Sequence, residues 1–150
     1  MFRPGDDGFE KATLTNDAFW PDLALDEFQR QRSIPPTINQ ATVIQALLAA
    51  VAEINPSLCD FVSQQKRKGY ANAKAVPGPM MEGDNALTAQ YKKAVYARAK
   101  ADLMGEFAAI SRREDNTNQD APQTRASLLA EAAVAIRCIK GRKRVGVHLV

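Results

Sequence analysis

Between Ser33 and Ala52 the chain carries no charged side chain. A twenty-residue stretch without charge must be buried in something, and that requirement constrains the fold more than any other feature. Pro35, Pro36, Asn39, Gln40 and Gln45 interrupt the stretch, and its unbroken apolar part runs only from Ala46 to Ala52. A membrane-spanning helix needs about 20 mostly apolar residues, so the stretch reads as a buried helix that the rest of the chain packs around. Its apolar pattern continues: Ile44, Leu47, Leu48, Val51, Ile54, Leu58, Phe61 and Val62 recur at helical spacing after a cap at Thr37 or Asn39. Pro56 interrupts the pattern, which predicts either a kink or two abutting helices. Lys66-Arg67-Lys68-Gly69 closes it with basic residues at a helix C-terminus and a glycine stop.

Three further runs share the helical period. Leu23, Leu25 and Phe28, with Asp22 or Asp26 as cap, predict a short helix ending near Arg32. Asp84 or Asn85 caps a long one reaching about Ser111 on Leu87, Tyr91, Val95, Leu103, Met104, Phe107 and Ile110, with alanines that let a neighbour approach closely. Residues 112–121 form a polar connection, and Leu128, Leu129, Ala132, Ala135, Ile136 and Ile139 mark a last helix that Gly141 ends. Residues 71–84 read as a loop with turn signals at Pro77-Gly78-Pro79 and Glu82-Gly83-Asp84. Phe19-Trp20 reads as a plug on the domain's own core. The expected fold is all-α: about four helices in a bundle spanning 19–140, an extended N-terminal arm over 1–18, and a C-terminal tail over 141–150. In that tail Val145, Val147 and Leu149 alternate with Gly146 and His148, the period of a β-strand.

The chemistry available is limited. With 20 Lys and Arg against 17 Asp and Glu the net charge is +3, too mild to argue for nucleic acid on its own. The charge is uneven: residues 1–34 carry a net −3, and residues 137–150 carry five bases and no acid. His148 is the one histidine, so a His-centred triad or zinc cluster has no raw material. The eight glycines are never spaced as a phosphate-binding loop. Glu114-Asp115 and Asp6-Asp7 sit in solvated segments with no burial to shift a catalytic pKa. Cys59 and Cys138 read as reduced, buried small hydrophobes in a reducing interior, since the start of the chain shows no apolar signal core. No catalytic residue, metal ligand or cofactor is assigned, and the chain is read as a non-enzyme.

Taken in order, the segments resemble a known family. They are Phe19-Trp20-Pro21-Asp22, the Pro35-Pro36 break, Ala46-Leu47-Leu48 through Asn55-x-x-Leu58-x-x-Phe61, Gln65-x-x-x-Gly69-Tyr70, the Val76-Pro77 loop, Tyr91-x-x-Ala94-Val95, and Ala135-Ile136-x-x-Ile139-x-Gly141-x-x-Arg144. This series is similar to the head completion (head stabilisation) proteins of temperate contractile-tailed phages of the Peduovirus type. The likeness covers about Phe19 to Val150 and departs in the last helix, where this chain has Leu129 and Val134 in place of tryptophans. It implies a non-enzymatic connector or adaptor in the virion neck, made in the host cytoplasm. It further implies copies arranged in a ring beneath the portal protein, twelvefold like the portal, after DNA packaging. Such a ring extends the DNA channel, lets packaged DNA pass without sequence-specific binding, and presents a surface to the next neck or tail completion protein. The alternative from another class is a small DNA-binding regulator using Lys66–Lys68 or Arg142–Arg144 on phosphates.

Specific expectations follow for this chain. Leu47, Leu48, Val51, Phe61, Tyr91, Leu103, Phe107, Leu128 and Ile136 should be buried, so that Leu48→Ala costs about 2–5 kcal/mol as a large-to-small core change. Phe2, Phe9 and Leu14 should anchor an arm, dispensable for the fold, on a neighbouring copy, the portal or the capsid. Arg142, Lys143 and Arg144, with Val145, Val147 and Leu149, should dock on the portal as an added strand. A frayed basic terminus, or a strand folded back on the first helix, is the competing reading.

Overall fold

The computed structural model describes residues 8, 9, 11–111 and 124–142, with the backbone alone for 107–111. Among these the order is β1 (Thr13–Leu14), β2 (Leu23–Ala24), α1 (Leu25–Gln31), α2 (Gln40–Ser57), α3 (Cys59–Arg67), a 3-10 turn (Ala73–Ala75), β3 (Met80–Met81), β4 (Asp84–Asn85), α4 (Ala86–Ser111) and α5 (Arg125–Ile139). The fold is mostly helical, with two small antiparallel strand pairs, β1 with β2 and β3 with β4. Among the described residues there are five helices where about four were expected, because the chain breaks at Leu58, just past Pro56, into the two abutting helices that were one of the two expectations there. There α2 and α3 meet at a bend of 60°. No single described helix is long and apolar enough to cross a membrane, although the bent α2–α3 pair passes on length and composition.

Capping sets the helix limits. Asn39 accepts from the Ala41 N–H and opens α2; Thr124 accepts from the Ser127 N–H and opens α5. At α4, Asn85 Oδ1 accepts from the Thr88 N–H (2.9 Å) while Thr88 Oγ1 accepts from the Asn85 N–H (3.0 Å), a reciprocal pair that satisfies two orphan donors. Gly69 (φ 94°) and Gly141 (φ 69°) take left-handed conformations just past α3 and α5. Each is followed by a residue whose N–H reaches back to the last turn: Tyr70 to Gln65 O and Arg142 to Arg137 O. The glycine stops read from sequence thus have a backbone cause.

The core lies where α4 packs against α5 on one side and α2 on the other. Ala94, Ala97, Ala99 and Ala101 are buried, so α4 meets its neighbours through small side chains. Ala97 and Ala101 face Leu128 and Ala132 of α5. Phe19, Trp20, Leu23, Leu25 and Phe28 are buried in the main cluster with Leu47, Ile54, Leu58, Tyr91 and Leu103. Phe19-Trp20 is therefore a plug on this domain's own core.

Three expectations need correction. Leu47, Tyr91, Leu103 and Leu128 are buried, and Val51, Phe61 and Ile136 pack partly buried against the core, but Leu48 is 50% exposed. The buried face of α2 is Val43, Ala46, Leu47, Ala50 and Ile54. Leu48 sits one residue, about 100°, further round the helix than Leu47. A 3–4 spacing from Ile44 admits either leucine, so the sequence pattern alone could not choose. The Phe107 side chain lies outside the described residues. Cys59 and Cys138 are free but exposed, on the first residue of α3 and in the last turn of α5.

The third correction concerns the arm, because residues 11–18 belong to the fold. Thr13 and Leu14 pair with Ala24 and Leu23, and the Leu25 N–H donates to Ala12 O (2.8 Å). Leu14 packs partly buried against the core. Deleting 1–18 would therefore destabilise the domain. The boundary moves toward the N-terminus because Leu23 and Ala24 offer a strand edge that a search for helical periods does not register. By urea denaturation, Leu47→Ala should cost about 2–5 kcal/mol and Leu48→Ala no more than about 1 kcal/mol.

Candidate functional site: assembly surfaces

Trp20 organises the interior end of the molecule. Its ring stacks on Tyr91 of α4 at 4.3 Å between centroids and 5° between planes, and lies 6.3 Å from Phe61 of α3 on a similar plane. Asp17 Oδ1 accepts from the N–H groups of Phe19 (3.0 Å) and Trp20 (2.8 Å), which fixes the turn that inserts the indole. A ring of three hydrogen bonds closes beside it. The Tyr91 hydroxyl donates to Asn55 Oδ1 (2.6 Å), Asn55 Nδ2 donates to Asn16 Oδ1 (2.9 Å), and Asn16 Nδ2 donates to the Tyr91 oxygen (2.9 Å). Burial pushes the Tyr91 hydroxyl up to about 12, against the lowering effect of its hydrogen bonds with Asn16 and Asn55.

Charged groups tie the helices together. Lys92 donates to Glu27 Oε1 and Asp84 Oδ2, both at 3.0 Å, joining α4 to α1 and β4. Burial alone would lower Lys92, but the two carboxylates outweigh it and raise its pKa. Tyr96 donates to the other Glu27 oxygen (2.7 Å), and burial next to that carboxylate raises the phenol strongly. Arg32 donates to Glu131 Oε1 (2.7 Å) and to Lys93 O, linking the end of α1 to α5 and α4. That hydrogen bond holds the Glu131 carboxyl below its usual range despite partial burial. Among the described residues, no three His, Cys, Asp or Glu side chains stand close enough together to hold a metal ion. Tyr91, Lys92, Tyr96 and Glu131 are thus each matched to partners on other elements.

The residues singled out from sequence fall in different places. Leu14 lies in β1. The Phe9 ring lies beneath the Arg30 guanidinium, 5.7 Å from its carbon, on α1. Arg142 is exposed just past α5 and, with Lys140, lines a polar cleft of about 200 Å³ shared with Ser57, Asp60, Phe61 and Gln64. Phe2, Lys143, Arg144, Val145, Val147 and Leu149 lie outside the described residues, as do Glu114, Asp115 and the polar connection. Lys66 and Arg67 occupy the last turn of α3, where positive charge pairs with the helix dipole without any need for nucleic acid.

Sequence reasoning missed two outward features. An apolar groove of about 220 Å³ runs between residues 12–15, Leu25, and Ile44, Leu47 and Leu48 of α2. On other elements, β3 and β4 form a tight hairpin whose two turn residues, Glu82 and Gly83, both have positive φ (49° and 85°). The hairpin presents Met80 and Met81 to solvent at 67% and 80% exposure. The Glu82-Gly83 signal between short runs was legible as a turn; that it turns a hairpin was not. A third groove, between α2, α4 and α5, includes Leu129, whereas Val134 faces outward at 49% exposure.

The described fold is mostly helical, with ion pairs between its elements and with open apolar and polar clefts. Comparison with known proteins gives the class. The chain belongs to the family described as phage head completion protein (GPL), whose pattern it matches over residues 14–150. It is 38% identical to the probable head completion/stabilization protein of Haemophilus phage HP1 (strain HP1c1) over 150 residues, the whole of both chains. It is 23% identical over 137 residues, 90% of this chain and 81% of the other, to the head completion/stabilization protein of Escherichia phage P2. No solved structure matches. The likeness therefore begins earlier than Phe19, which agrees with β1 being part of the fold.

Two outcomes test this geometry. Asn55→Ala removes the partner of the Tyr91 hydroxyl and should cost about 1–3 kcal/mol by denaturation, as expected for leaving buried polar groups unmatched. Glu131 has a folded-state pKa below its unfolded value, so its stabilisation is present above the unfolded pKa and is lost as pH falls through the folded one. The stability gap between the native chain and Glu131→Gln should be widest near neutrality and shrink toward pH 3; a gap independent of pH would contradict the Arg32 pairing.

Proposed function

We propose that this protein is a non-enzymatic structural component of the virion neck. Copies form a ring beneath the portal protein after DNA packaging, twelvefold like the portal. The ring completes and stabilises the filled head, extends the DNA channel and receives the next neck or tail completion protein. The observation that carries this reading is the family match over residues 14–150, together with relatives named for head completion and stabilization. The internal use of the charges at Glu27, Arg32, Lys92, Arg98 and Glu131 supports it, because a ring subunit needs a rigid body with its exposed features kept for neighbours. DNA passes through without sequence-specific binding, since strong phosphate attraction would oppose ejection.

The portal-docking element in this reading is residues 140–150. Gly141 turns the chain out of α5 and leaves Arg142 exposed. Lys143 and Arg144 add charge that steers the tail toward an acidic surface. Val145, Val147 and Leu149 then fill apolar recesses as a strand added to a portal sheet edge. Phe2 and Phe9 contact a neighbouring copy, the portal or the capsid, and Leu14 adds to that contact from its place in β1.

Heads assembled in cells that supply only a chain truncated after Gly141 should fill with DNA and then lose it, read as nuclease-sensitive DNA in isolated particles. Val147→Asp should act nearly as the truncation does, while Lys143→Ala should make portal binding slower and less salt-dependent. Normal head completion by the truncated chain would rule out the tail as the dock. Nanomolar binding of free duplex DNA at physiological salt would favour the DNA-binding regulator instead.

A further inference from the structure

The methionine hairpin and the apolar groove are complementary features of one chain, and we infer that the Met80-Met81 hairpin of one copy inserts into the Leu14–Leu48 groove of the next. This deepens the ring reading and rests on it. The hairpin is built to be stiff. Its turn residues both sit at positive φ, the Ala86 N–H donates to Pro79 O (2.9 Å), and the Asn85 side chain donates to the carbonyls of Ala73 and Val76 at 2.8 and 2.9 Å. Such a support presents two adjacent methionines, 67% and 80% exposed, that do not line their own chain's groove. Methionine suits this role because its unbranched thioether fills irregular apolar gaps. The groove is open and apolar, and Leu48 on its wall is half exposed.

Charge sets the pairing. Glu82 directly follows the methionines, Lys11 directly precedes the groove residue Ala12, and both are exposed with no partner among the described residues. A knob and a socket at different places on the same chain make a head-to-tail contact, which either closes into a ring or runs on as a filament. A contact of like surfaces would give only dimers.

The test is disulfide cross-linking in a Cys59→Ser, Cys138→Ser background, on chains in solution and in completed heads isolated from cells. Chains carrying Leu48→Cys mixed with chains carrying Met81→Cys should link to each other, neither should link to itself, and a chain carrying both changes should give a ladder. Glu82→Lys should lower the linking yield roughly two- to fivefold, and Lys11→Glu on the groove side should restore it. The inference is overturned if Met81→Cys chains link only among themselves, or if Leu48→Cys links instead to Phe2→Cys of its own chain. It is also overturned if heads holding many copies give no mixed link, a result that leaves the head-completion reading intact. A ladder from copies found away from the portal vertex would keep the contact and reject the proposed location.

Discussion

The stack of Trp20 on Tyr91, with Phe61 beyond it, is the contact on which the architecture turns. It draws together three parts of the chain that have no reason to meet by sequence: the segment before α1, the start of α3 and the first turns of α4. The indole brings a large buried area, lying flat on Tyr91 and meeting Phe19 edge-on. It also brings a cost, because Trp20 Nε1 has no hydrogen-bond partner among the described residues. The structure tolerates that orphan because everything around it is pinned. Asp17 holds the turn, and the Asn16–Asn55–Tyr91 ring satisfies the polar atoms beside the stack.

Pro56 gains its meaning from the same place. The helix must stop after Asn55 has reached Tyr91 and before Phe61 can turn in beneath Trp20. The proline in the last turn of α2, followed by the break at Leu58, supplies the 60° change of direction. Ion pairs then lock the outer helices: Arg32 with Glu131 holds α5 to the end of α1, and Lys92 with Glu27 holds α4 to its start. The outcome is a body whose helices are tied to one another by charge as well as by packing.

Much of this was legible in the sequence. The uncharged stretch announced α2, the glycines at 69 and 141 announced two helix ends, and Phe19-Trp20 announced a plug. What escaped had physical reasons. Leu47 and Leu48 satisfy the same spacing from Ile44, and only the neighbours decide which of them is buried. Two-residue strands such as Thr13–Leu14 have no period to detect, so the pairing of residues 12–14 with β2 and the start of α1 went unread. Asn16 had no role legible in the sequence, and only the tertiary approach of Tyr91 makes it and Asn55 a network. The candidate surfaces were less legible still, since exposure at Met80, Met81 and Leu48 is a property of the folded shape. The family was readable because its apolar, proline and glycine landmarks follow a fixed order along most of the chain.

The account stands or falls on assembly with the portal. Purified portal mixed with excess chain, separated by size-exclusion chromatography and weighed by light scattering, measures it directly. The account predicts one large complex holding as many copies of this chain as of the portal protein. Free chain eluting beside an unchanged portal, at concentrations where both are folded, would contradict it.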